Sequence, residues 1–68
     1  MFEIHPGQYV VYNDDPFIVV WTGGSLFRVF IQDGDDINEI DVFSVYDVET
    51  RGQAMIIADL HIQSTYCE

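Results

Sequence analysis

Short runs of alternating or continuous apolar residues, separated by clusters of Gly, Pro, Asn and Asp, occupy most of this 68-residue chain. That pattern predicts strands joined by polar turns. Gln8 to Tyr12 reads as a strand closed by Asn13, Asp14, Asp15 and Pro16. Phe17 to Thr22 is rich in β-branched and aromatic residues, and Gly23 and Gly24 separate it from a similar run, Ser25 to Gln32. Two glycines between two such runs predict a tight hairpin, because a primed two-residue turn needs positive φ at both central positions. Asp33, Gly34, Asp35 and Asp36 form the next turn, followed by a short strand or bent segment from Ile37 to Val42 and a further strand from Phe43 to Val48.

Glu49, Thr50, Arg51 and Gly52 then lead into the last segment, where Ala54, Ile56, Ala58, Leu60 and Ile62 alternate with more polar positions. Period two favours a strand there. Ala, Met, Leu and Gln are helix formers, however, and Thr50 with Gln53 can make a capping box, so a short C-terminal helix is the alternative. Residues 64–68 are expected to fray. The expected fold is therefore a single all-β domain over residues 1–68, a small antiparallel barrel of five or six strands, since closure satisfies the edges of short strands. The stretch from Pro6 to Val48, with Gly7, Tyr9 and Val10 opening a strand and Trp21 ending the next, resembles the Src-homology-3-like small barrels, Tudor and KOW modules among them. That resemblance implies a fold and a habit of binding through aromatic residues. The basic residues with which KOW modules hold nucleic acid are missing from this chain.

Charge narrows the picture further. Twelve Asp and Glu against two Arg give a formal charge of −10, which opposes direct contact with phosphate backbones. A hydrophobic fraction of 49% excludes a disordered acidic tail. The segment Met1 to His5 carries Glu3 and no basic cluster, and the apolar run from Pro16 to Gln32 is interrupted by Thr22, Gly23, Gly24, Ser25 and Arg28, so neither a signal peptide nor a membrane span is expected. One cysteine, Cys67, cannot make an internal disulfide, which points to a reducing, cytoplasmic setting, the host cytoplasm if the protein is phage-encoded.

Two candidate surfaces emerge. With Gly23 and Gly24 as the whole loop, Trp21 stands opposite Leu26, Val20 opposite Phe27 and Val19 opposite Arg28. One face then shows Ile18, Val20, Phe27 and Val29; the other shows Phe17, Val19, Trp21, Leu26 and Phe30 around Arg28. The second face is either more core or a contact patch anchored on Phe17, Trp21, Arg28 and Phe30, the residue types that dominate interface hot spots. The other surface is acidic: Asp33, Asp35, Asp36, Glu39, Asp41, Asp47 and Glu49 place seven of the twelve carboxylates within seventeen residues. It is either a solvated edge that resists aggregation or an electronegative patch that steers association with a basic protein.

No catalytic, metal or cofactor motif is recognisable. The run Asp33–Gly34–Asp35–Asp36 lacks the alternating ligands of a calcium loop, and His5, His61 and Cys67 match no zinc spacing. Ser25, Ser44, Ser64 and Cys67 lie in no nucleophile context, and the glycine pair lacks the helix and Lys of a phosphate cradle. The expectation is a non-enzymatic, cofactor-free acidic module that binds a protein with a basic, nucleic-acid-binding surface, similar in kind to small phage-encoded inhibitors that imitate nucleic acid. The competing expectation is an assembly module, a homodimer for example, that self-associates through the aromatic hairpin face.

Overall fold

The computed structural model describes residues 7–66. The Met1 to His5 segment and the zinc candidates His5 and Cys67 lie outside them. Four antiparallel strands, β1 (Tyr9–Asp14), β2 (Phe17–Trp21), β3 (Leu26–Asp33) and β4 (Asp36–Ser44), form one sheet in the order β1-β2-β3-β4. A helix, α1 (Arg51–Thr65), follows. The strands begin and end within two residues of the turn signals that predict them through β3. Beyond β3, two expectations need correction.

First, the described residues form four strands with β1 and β4 as the sheet edges, where five or six strands closing into a barrel were expected. Ile37 to Val42 and Phe43 to Val48 are not separate elements. Phe43 and Ser44 go on pairing with Phe27 and Leu26, so β4 runs until β3 offers no further partner, and Val45 N–H makes a last bond to the Ser25 carbonyl at 2.9 Å.

Second, the last segment is a helix. Thr50 Oγ1 accepts from Gln53 N–H at 3.1 Å, and Gln53 Oε1 accepts from the N–H groups of Glu49 at 2.8 Å and Thr50 at 3.2 Å, which satisfies donors that open a helix. Ala54, Ala58 and Ile62, spaced four apart, form a fully buried stripe that lies on the sheet. Helix propensity and the cap outweigh the period-two pattern because apolar residues occupy both the inner and outer sides of α1. The helix continues through Thr65, and Tyr66 N–H closes it on the Ile62 carbonyl at 2.9 Å.

The hairpin register also differs from the expected one, by a single residue. Trp21 pairs with Phe27, Val20 with Arg28 and Val19 with Val29. Of the two glycines only Gly23 has positive φ (87°), so the pair does not make a type I′ turn. Thr22 N–H instead bonds the Leu26 carbonyl at 3.2 Å across Gly23, Gly24 and Ser25, and Trp21 Nε1–H donates to the Gly24 carbonyl at 2.7 Å. A one-residue shift turns every β3 side chain to the other face. Phe27 and Val29 therefore join Val19 and Trp21 beneath α1, with Val11, Ala54, Ala58 and Ile62 completing the core.

The same register builds an aromatic row across the sheet, because Tyr9, Trp21, Phe27 and Phe43 are successive cross-strand partners. Neighbouring ring centroids lie 5.8, 6.4 and 4.9 Å apart, and His61 of α1 stacks on Phe43 at 3.8 Å. Arg51 covers the Tyr9 end, its guanidinium 5.5 Å from the ring centre.

Candidate functional site

The up-and-down strand order places the β1–β2 and β3–β4 turns at one end of the sheet, and the Gln32 N–H bonds the Pro16 carbonyl at 2.9 Å between them. Asp14, Asp15, Asp33, Asp35 and Asp36 all sit at this end, and all five are exposed. Asp33 and Asp36 are direct cross-strand partners. Like charges at that spacing repel by up to about 1 kcal/mol in water before salt screens them. No ion pair reaches any of the five among the described residues.

The C-terminus of α1 points the same way, since the Tyr66 ring packs 5.1 Å from that of Phe17, which pairs with Asp14. Its backbone adds the equivalent of roughly half a negative charge, and its last turn carries no basic residue. Asp33, Asp35 and Asp36 are thus brought together, joined by Asp14 and Asp15. The sequence pattern hides those two, because about twenty residues separate them from Asp33 and only strand order unites them.

The other predicted acids are dispersed. Glu39 lies on β4 within 3.5 Å of Arg28, an exposed pair of the kind that contributes little. Asp47 and Glu49 lie past the opposite end of β4, and each has a local structural role. Asp47 takes φ 67°, a left-handed conformation that Asp tolerates better than most residues, and Glu49 precedes the positive end of α1.

Asp41 points under the helix rather than outward. Its Oδ2 lies 3.0 Å from His61 Nε2 and accepts the Tyr66 hydroxyl at 3.1 Å, while Oδ1 accepts the Val42 N–H at 2.9 Å. The His61 hydrogen bond, with those from Tyr66 and Val42, holds the Asp41 carboxyl below its usual range against the opposing effect of burial. Burial, then the bond to Asp41, pushes the Tyr66 hydroxyl upward. This three-residue cluster pins β4 to the last turn of α1. Its members are 20 and 25 positions apart in sequence, and no local spacing announces them.

The expected contact patch of Phe17, Trp21, Arg28 and Phe30 is divided between the two faces of the sheet. Trp21 is 5% exposed and Phe17 packs against the core, both beneath α1. Arg28 and Phe30 occupy the opposite face, where Phe30 pairs with Ile18. Among the described residues no group of three or more His, Cys, Asp or Glu is arranged to hold a metal ion, and no helix is long and apolar enough to cross a membrane. No protein-family model, curated protein or solved structure matches the chain.

Proposed function

We propose that this chain is a non-enzymatic, cytoplasmic binding module whose acidic end occupies a basic, nucleic-acid-binding site on another protein and inhibits it by occupancy. The observation that carries this reading is the convergence of Asp14, Asp15, Asp33, Asp35 and Asp36 at one end of a sheet whose helix also directs its negative pole there. Clustered charge of one sign raises the encounter rate with a complementary surface and fixes orientation. Folding alone does not call for such a cluster, since its self-repulsion opposes the compact state.

The test is capture of basic proteins by the immobilised chain at low and high ionic strength, with nucleic acid as competitor. Reversing Asp15, Asp35 and Asp36 together to Lys abolishes capture, nucleic acid displaces the bound protein, and high salt releases it. Reversing Asp47 and Glu49 leaves capture intact. Binding that ignores salt and the three reversals refutes the reading.

A further inference from the structure

β4 is an edge of the sheet, and the bonds of its neighbours show which of its backbone groups are used. The Gln32 N–H turns toward β2 to reach the Pro16 carbonyl, so Phe27, Val29 and Ile31, an odd number of positions away, turn theirs toward β4. Their partners Phe43, Asp41 and Asn38 face β3. Val45 N–H, bonded to the Ser25 carbonyl, continues the series. Ile37, Glu39, Val42 and Ser44 therefore turn their backbone groups outward. Val42 agrees, since its N–H is taken by Oδ1 of the adjacent Asp41 at 2.9 Å. Asn38, Glu39, Ile40, Val42 and Ser44 are all exposed, Ile40 by 42%.

We infer that this outer edge takes an extended, basic segment of a partner protein as an added strand. The partner's charge rests on the function proposed above, and the mode of contact goes beyond it. A row of unpaired N–H and C=O groups is a template for another chain, which gains main-chain hydrogen bonds there. Edges that stay alone are commonly blunted by Lys or Pro; β4 has neither, and it offers Ile40 and Val42 to solvent. The bulge between Glu39 and Asp41 interrupts the row once. The Asp41 cap on Val42 is no obstacle, because a docked carbonyl replaces Oδ1 while Oδ2 keeps His61 and Tyr66.

Charge selects the occupant. A second copy paired through β4 would bring Asp36, Glu39 and Asp41 near their own kind, in a chain of net charge −10. A basic strand meets the opposite situation. Glu39 and Val42 share the face opposite α1, because their partners Phe30 and Arg28 stand two apart on β3. Alternate side chains of an added strand lie beside them on that face. Lys at those positions sets its ammonium by Glu39 and its stem along Val42. The present partner of Glu39, Arg28, is exposed and 3.5 Å away, so it competes weakly. β4 also starts at Asp36 in the acidic end, so a segment on this edge leads straight from that end.

The probe is a blocked ten-residue peptide of alternating Lys and Thr, titrated into the isotope-labelled whole chain at physiological salt. The amides of Ile37, Glu39, Val42 and Ser44 shift most and exchange more slowly with solvent. The same peptide N-methylated throughout keeps its charge, loses its strand donors and binds at least about tenfold more weakly. Val42→Pro removes an outward N–H and no bond to β3, so it lowers affinity for the first peptide by a similar factor with far-UV circular dichroism unchanged. Val42→Lys repels the basic strand without altering the backbone and carries the same test should the proline variant unfold. Equal binding of the two peptides, shifts confined to the turn aspartates, or indifference to Val42→Lys overturns the inference. So does a wild type that pairs with itself through β4. Capture of basic proteins, and its loss on reversing Asp15, Asp35 and Asp36, is a separate readout, so the proposed function stands or falls apart from this edge.

Discussion

The two faces of the sheet draw on similar residues and meet different fates. Beneath α1, Val19, Phe27 and Val29 are wholly buried, and every aromatic ring of the cross-strand row packs against a neighbour. On the other face Ile18 and Val20 are buried too, but apart from the core cluster, while Phe30 is half-buried, Arg28 exposed and Val42 46% exposed. Apolar content therefore does not select the core in β2 and β3. Register selects it, by deciding which side chains of β3 accompany Val19 and Trp21 under the helix.

The largest effect should come from changing the register itself. Deleting Thr22 keeps the three-residue connection Gly23–Gly24–Ser25 but brings Trp21 opposite Leu26, which would carry Phe27 and Val29 out from under α1 and Arg28 into the core. Burial of an unpaired guanidinium and loss of the two side chains each exceed the margin of a domain this small. Denaturant titration followed by Trp21 fluorescence should show no cooperative transition; a normal transition would mean that the loop does not set the register. A milder break targets one face at a time. Phe27→Ala should cost about 3 to 5 kcal/mol, whereas Val42→Ala on the other face should stay within about 1 kcal/mol. Equal losses would erase the distinction between the faces.

Asp41 is where the helix is fastened to the edge of that core. Asp41→Asn keeps the shape but weakens the bonds to His61 and Tyr66, at a cost of about 1 kcal/mol at neutral pH. The folded carboxyl titrates lower than the unfolded one, so its stabilisation is fully present above the ordinary aspartate value and is lost as pH falls through the folded value. The gap between wild type and Asp41→Asn should therefore close below about pH 4. Tyr66 behaves oppositely. Its raised value means that its contribution holds below about pH 10 and disappears above it. Thermal midpoints of wild type and Asp41→Asn across pH check both directions.

These contrasts also show what a linear reading can reach. Asn13 to Pro16 and Asp33 to Asp36 mark their turns through local chemistry, so the hairpins are legible. The Gly23–Gly24 connection is legible as a turn but not as a register, because glycine permits several loop geometries and Trp21 Nε1 selects one by bonding to Gly24. The helix is written in the Thr50 and Gln53 cap, yet the alternation of Ala54, Ile56, Ala58, Leu60 and Ile62 also fits a strand, and only contact with the sheet decides between them. Asp41 with His61, and Asp15 with Asp35, belong together only after the chain has folded. A site assembled by topology leaves no spacing to find.

The smallest expected effect contrasts the acidic end with everything that holds the fold together. Asp33 and Asp36 face one another across the last pair of β3 and β4, both exposed, with the helix's negative pole at the same end. Asp36→Asn removes one charge and leaves the backbone ladder intact, so it should raise stability by a few tenths of a kcal/mol at low salt. The gain should fade as salt shortens the range of the repulsion. Urea titrations at low and high ionic strength measure the difference directly. If Asp36→Asn instead destabilises the protein at both, then Asp36 makes a stabilising contact in the turn, and the acidic end is structural in the same sense as the core. If it stabilises as expected, the wild-type residue persists at a cost that the fold itself does not repay, and its explanation must be sought in what that end of the molecule meets.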